Sequence, residues 1–123
     1  MEGGTLELSA GVPEEIATAR HAFEMRLAEW GCGYIDDIAL VFSELVTNAI
    51  KHAGGAQRIL LQSSNGVIKI AVHDTNPAAP KMRSQADESG GFGLRIVHQL
   101  TIDWGWTLAI GGKQVWADIS CSD

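Results

Sequence analysis

The chain has 123 residues, a formal net charge of −6, 46% hydrophobic and 20% charged residues. That is the size and balance of a single soluble domain spanning 1–123, not of a disordered chain. The acidic balance argues against direct nucleic-acid binding through a broad basic surface, and no apolar run approaches the ~20 residues needed to cross a bilayer. A polyanionic nucleotide remains compatible with an acidic chain where backbone amides and a cation meet it locally. The amino terminus, Met1-Glu2-Gly3-Gly4, lacks the basic and apolar regions of a signal peptide, so a cytoplasmic location is expected. Cys32 and Cys121 lie far apart without metal-ligand spacing and are expected to be reduced thiols.

Residues 5–9 alternate between polar and apolar and predict a first strand. Pro13-Glu14-Glu15 predicts a helix start, with proline in the first turn and acids near the positive end of the dipole. Ile16, Ala19, Phe23, Leu27 and Trp30 form the apolar stripe of that helix, which Gly31 and Gly33 stop; His21 falls on its solvated face. A second helix opens at Asp36 and Asp37 and closes at Gly54-Gly55. Residues 58–63 and 67–73 predict paired strands around the turn Ser64-Asn65-Gly66. Residues 74–89 are polar and proline-bearing, a pattern of a functional loop. A helix over 92–100 follows, then strands over 104–110 and 115–119 around Gly111-Gly112-Lys113, with Trp104 and Trp106 expected in the core. These elements predict an α+β two-layer sandwich, with helices on one face of a mostly antiparallel sheet.

Three segments carry chemistry. In the second helix, Ile38, Phe42, Leu45 and Ala49 recur at helical spacing, yet Glu44 and Asn48 project four residues apart along one line. Burying such a carboxylate and amide costs free energy unless something satisfies them, either each other's surroundings in a packed pair or a metal ion with a bound phosphate. Magnesium keeps several waters, so a single amide oxygen from Asn48 suffices when phosphates supply the rest. Glu44 is placed to polarise a hydroxyl. Lys51 and His52 continue the line and read equally as a solvated helix end.

The second segment is Val72-His73-Asp74-Thr75-Asn76-Pro77. Its Asp74 can accept a hydrogen bond from an exocyclic base amine, or can initiate a turn by capping its own backbone. The third is Glu88-Ser89-Gly90-Gly91-Phe92-Gly93-Leu94-Arg95. Glycines ahead of a helix allow close approach to free amides, for which phosphate is a natural guest; a plain glycine hinge has the same composition. No Gly-Lys-Ser/Thr follows, so this is not the phosphate-loop pattern.

In this order the three segments resemble the nucleotide-binding boxes of the GHKL ATPase superfamily, and most of all its short branch of bacterial anti-sigma factor serine/threonine kinases. The likeness runs from the first strand to the last hairpin and is carried by Glu44-x-x-x-Asn48-Ala49-x-x-His52. It implies an ATP/ADP and Mg2+ site in which Asn48 binds magnesium, Glu44 is the general base and Asp74 holds the adenine amine. It further implies that Gly91, Phe92, Gly93 and Leu94 meet the phosphates through their backbone, with His52 nearby; Arg95, Lys81 and Arg83 read equally as phosphate contacts or as solvated or salt-bridged cations. The sequence departs from the pattern after Asp74, where Pro77 and Pro80 replace glycines, and at Gln114, where many relatives have a threonine near the adenine. The implied function is phosphoryl transfer to a serine or threonine of a small anti-sigma factor antagonist, together with sigma factor binding. Homodimerisation through the first strand and helix is expected as in some relatives. Two alternatives stand beside it: a nucleotide-gated protein-binding module without catalysis, and the excised ATP-binding domain of a histidine kinase.

Overall fold

The computed structural model describes residues 4–80 and 93–122. Among them the chain runs β1 (Gly4–Ala10), a 3-10 turn (Pro13–Glu15), α1 (Ile16–Glu29), α2 (Ile35–Ala53), β2 (Ala56–Ser64), β3 (Val67–Asp74), α3 (Gly93–Leu100), β4 (Asp103–Ala109) and β5 (Gly112–Ser120). The strands form one sheet in the order β1-β2-β3-β5-β4, with every neighbouring pair antiparallel. This is the expected α+β sandwich.

The period-two pattern decides which sheet face meets the helices. Ile59, Leu61, Ile68, Ile70, Val72, Val115, Ala117 and Ile119 are buried, and in register they form rows across β2, β3 and β5. The α2 stripe of Ile38, Phe42, Leu45 and Ala49 is buried as well, as are Ala19, Phe23 and Leu27 of α1. Phe23 and Phe42 meet with ring centroids 5.0 Å apart and tilted by 43°, which joins α1 to α2. Ile16 and Trp30 pack at the rim of this core, and His21 is exposed as expected.

Turn chemistry closes the elements where glycine predicts it. Gly54 adopts φ 80° after α2, and Gly55 N–H donates back to the Ala49 carbonyl at 3.0 Å. Asn65 and Gly66, at φ 54° and 78°, make the two-residue β2–β3 hairpin. α3 lies beside α2 and reaches β4 through Trp104 Nε1, which donates to His98 Nδ1 at 3.3 Å.

Three expectations are corrected. First, Cys32 and Cys121 are not free thiols but form a disulfide across a sequence separation of 89. The α1–α2 corner folds against the end of β5, where Gly33 N–H donates to the Cys121 carbonyl at 2.8 Å, and this places the two sulfurs side by side. Second, Lys113 is not a turn residue. The β4–β5 connection is Ile110-Gly111 alone, and Gly112 and Lys113 already belong to β5. Third, Trp106 is 38% exposed, whereas Trp104 packs against the core.

Gly112 explains the early start of β5. A Cβ there would fall on the Asp74 carbonyl and lie 2.7 Å from Thr75 Cα. Gly112→Ala is therefore expected to cost about 3 kcal/mol or more in urea denaturation, since main chain rather than a flexible side chain must move. A stability within error of wild type would show that the two strands do not approach this closely.

Candidate functional site

The helical repeat places Glu44, Asn48 and His52 at successive turns of α2, about 6 Å apart along its axis. The buried stripe faces the sheet, so Glu44 and Asn48 lie along its flank and are half-buried. Desolvation by burial raises the Glu44 carboxyl above its ordinary range, and the charge of Lys51 two turns later pulls it part of the way back. The His52 side chain is exposed, and its carbonyl accepts Asn76 Nδ2 at 3.0 Å. Among the described residues no group of three or more His, Cys, Asp or Glu side chains is arranged to hold a metal ion by itself.

The stretch after β3 is pinned to the carboxyl end of α2. Thr75 Oγ1 donates to the Ala53 carbonyl at 3.1 Å and Thr75 N–H to the same oxygen at 3.4 Å. With the Asn76 bond to His52, these contacts hold Asp74 one strand-end away from the Asn48–His52 turn. Asp74 itself is 1% exposed. Its Oδ1 accepts Asn76 N–H at 2.9 Å, so the turn-capping role weighed for this residue is realised. A second such turn follows, in which Ala78 N–H donates to Asn76 Oδ1 at 2.9 Å.

Lys113 is the residue that sequence reasoning missed. It stands opposite Asp74 in the β3–β5 register and is 3% exposed. Its Nζ lies 3.2 Å from Asp74 Oδ1, 3.1 Å from Oδ2 and 3.0 Å from the Asn76 carbonyl. Gln114, the residue weighed for base contacts, pairs with His73 and Thr107 one step along the strands. Strand alternation therefore turns its side chain to the sheet face away from the helices. The signal for Lys113 was in the alternation of Lys113, Val115, Ala117 and Ile119, which sets the lysine on the buried face once β5 is extended back to Gly112.

At the glycine segment, α3 begins at Gly93, and Leu94 and Val97 are buried in the core. What Gly93 and Leu94 offer a ligand is thus the main chain of a helix start. Gly91, Phe92, Lys81 and Arg83 lie outside the described residues. Arg95 is half-buried and engaged in an interaction of its own.

The comparisons agree with this fold. The family model described as the histidine kinase-like ATPase domain matches residues 10–119. That span includes Glu44, Asn48, Asp74 and the Gly91–Leu94 stretch. Among solved structures, the chain is similar to "The crystal structure of the RsbU and RsbW domains of Rv1364c from Mycobacterium tuberculosis", with a TM-score of 0.67 and 19% sequence identity. The match covers 95% of this chain but only 32% of that one, so this chain spans about a third of its neighbour's length, and the likeness is one of fold. No curated protein matches the chain. With the family model covering nearly its whole length, and with the helix–sheet arrangement just described, the chain belongs to the histidine kinase-like ATPase domain family.

Proposed function

We infer that this domain binds Mg-ATP and acts as an anti-sigma factor with serine/threonine kinase activity toward a small antagonist protein. The observation that carries the reading is Glu44, a desolvated carboxylate one helical turn before Asn48. A site that only bound nucleotide would gain nothing from a carboxylate held with a raised pKa. The donor set suits magnesium, because one amide oxygen from Asn48 completes a shell otherwise made of phosphate oxygens and water. When bound, the ion would offset charge developing on the phosphates.

The protein's own groups then have distinct tasks. Glu44 accepts the proton of the antagonist's hydroxyl as that oxygen bonds to the γ-phosphorus; the bond to the β–γ bridging oxygen breaks, and ADP leaves. Main-chain amides at Gly91, Phe92, Gly93 and Leu94 orient the phosphates. His52 stands one turn beyond Asn48 and lies at the rim of the site. Asp74 reads the base amine. The same domain would hold a sigma factor, with the bound nucleotide biasing the choice of partner through unequal affinity. β1 lies at one edge of the sheet, which supports its use in a homodimer. Nothing in the described residues forms a helix long and apolar enough to cross a membrane.

A second reading, a nucleotide-gated module without transfer, accommodates the engagement of Asp74 by Lys113 as a departure at one end of the site. Incubation with γ-labelled ATP and candidate antagonist proteins separates the two. The kinase reading expects acid-stable label on a serine or threonine of the antagonist. Nucleotide-dependent complex formation with no label would favour the binding module.

A further inference from the structure

The buried pair of Asp74 and Lys113 bears on which base the site accepts. A lysine ammonium has three donors, and here they face Asp74 Oδ1, Asp74 Oδ2 and the Asn76 carbonyl, all within 3.2 Å. Asp74 Oδ1 also holds Asn76 N–H. A carboxylate that reads an exocyclic amine needs a vacant acceptor, and most of that capacity is taken. Displacing the ammonium would strand a buried cation, because Lys113 is 3% exposed and its strand is held by the close approach at Gly112. Gln114 offers no relief from the opposite sheet face.

We propose that Lys113 is a specificity-determining residue that makes this domain nearly indifferent between adenine and guanine nucleotides. The inference rests on reading Asp74 as the base-recognition residue. An adenine amine meets a carboxylate whose charge is neutralised and whose lone pairs are mostly occupied. Guanine presents a carbonyl oxygen at the same place, and the three donors of the ammonium are engaged with Asp74 and the Asn76 carbonyl as well. Neither base finds a free partner in the saturated pair, so the phosphates and sugar carry the affinity. Removing the ammonium leaves Asp74 with a buried negative charge and vacated lone pairs, which an amine donor fills and a carbonyl oxygen does not.

The test is a calorimetric titration of the full chain with ADP and with GDP in magnesium, on wild type, Lys113→Thr and Lys113→Gln, each checked for fold by circular dichroism. Wild-type dissociation constants for the two nucleotides should agree within about threefold. Lys113→Thr should favour ADP over GDP by about tenfold or more, mainly by tightening ADP, since a hydrogen bond to a charged group becomes available. Lys113→Gln, which keeps donors but no charge, should fall between. Should neither variant fold, the wild-type ratio decides alone. A wild-type preference for ADP of about tenfold or more would overturn the proposal, and so would an unchanged ratio in a folded Lys113→Thr. If no form binds either nucleotide, the nucleotide-site reading itself falls, and this inference with it.

Discussion

Glu44→Gln is expected to lower phosphoryl transfer by about 10²- to 10⁴-fold, the usual contribution of a positioned general base. The affinity for ADP should change little, because the base acts on the incoming hydroxyl and not on the bound nucleotide. Two further readouts separate this role from a structural one. In wild type, burial raises the Glu44 pKa above the ordinary carboxylate range, and Lys51 only partly opposes this. The transfer rate should therefore fall as pH drops through that raised value, and the residual rate of the variant should lose this dependence. Stability carries the opposite sign. A carboxyl whose pKa is higher in the folded state than in the unfolded one favours folding at pH below its unfolded value. That contribution is lost as pH rises through the folded value. Glu44→Gln should thus match wild type in acid and be the more stable protein at neutral pH. A variant that transfers phosphate at the wild-type rate would remove Glu44 from the mechanism. One destabilised at neutral pH would make it a packing residue.

Breaking the Cys32–Cys121 bridge is the second change with a large expected effect. The bridge closes a loop across a separation of 89 residues. On the chain-entropy account such a loop stabilises the fold by about 4–5 kcal/mol. It also ties the α1–α2 corner to the end of β5, the two places joined by the Gly33 to Cys121 hydrogen bond. Urea midpoints of the oxidised protein, of the protein in excess reductant and of Cys32→Ser should show this difference, with the last two alike. Coincident midpoints for all three would show that the thiols are unpaired in solution. A reducing cytosol would keep such a bond open. The redox state of protein isolated under thiol-trapping conditions is therefore a direct test of the cytoplasmic location expected from the amino terminus.

Legibility varied along the chain for physical reasons. α2 was legible from its residues because Ile38, Phe42, Leu45 and Ala49 announce a buried face and Gly54 ends it, which leaves Glu44 and Asn48 visible as polar intrusions. The β2–β3 hairpin was equally plain from Asn65-Gly66. The Asp74–Lys113 end of the sheet was not. Gly111-Gly112-Lys113 has the composition of a turn, and only the approach of β3 to β5 shows that Gly112 is a strand residue chosen for contact with Asp74 and Thr75. Lys113 was hidden by the same shift of two residues. Trp106 was misplaced because α3 meets this edge strand at Trp104, through His98, and two residues further along β4 the ring is left 38% exposed. The disulfide depends on two chain segments meeting across most of the sequence, which no local pattern encodes.

The central claim is a nucleotide site built on Asn48, and calorimetric titration with ADP tests it most directly, with and without magnesium, on wild type and Asn48→Ala. We expect binding that requires magnesium and weakens by about tenfold or more in the variant, as for loss of a ligand to a charged centre. A folded wild type that binds no nucleotide, or binds it regardless of magnesium and of Asn48, would contradict the account.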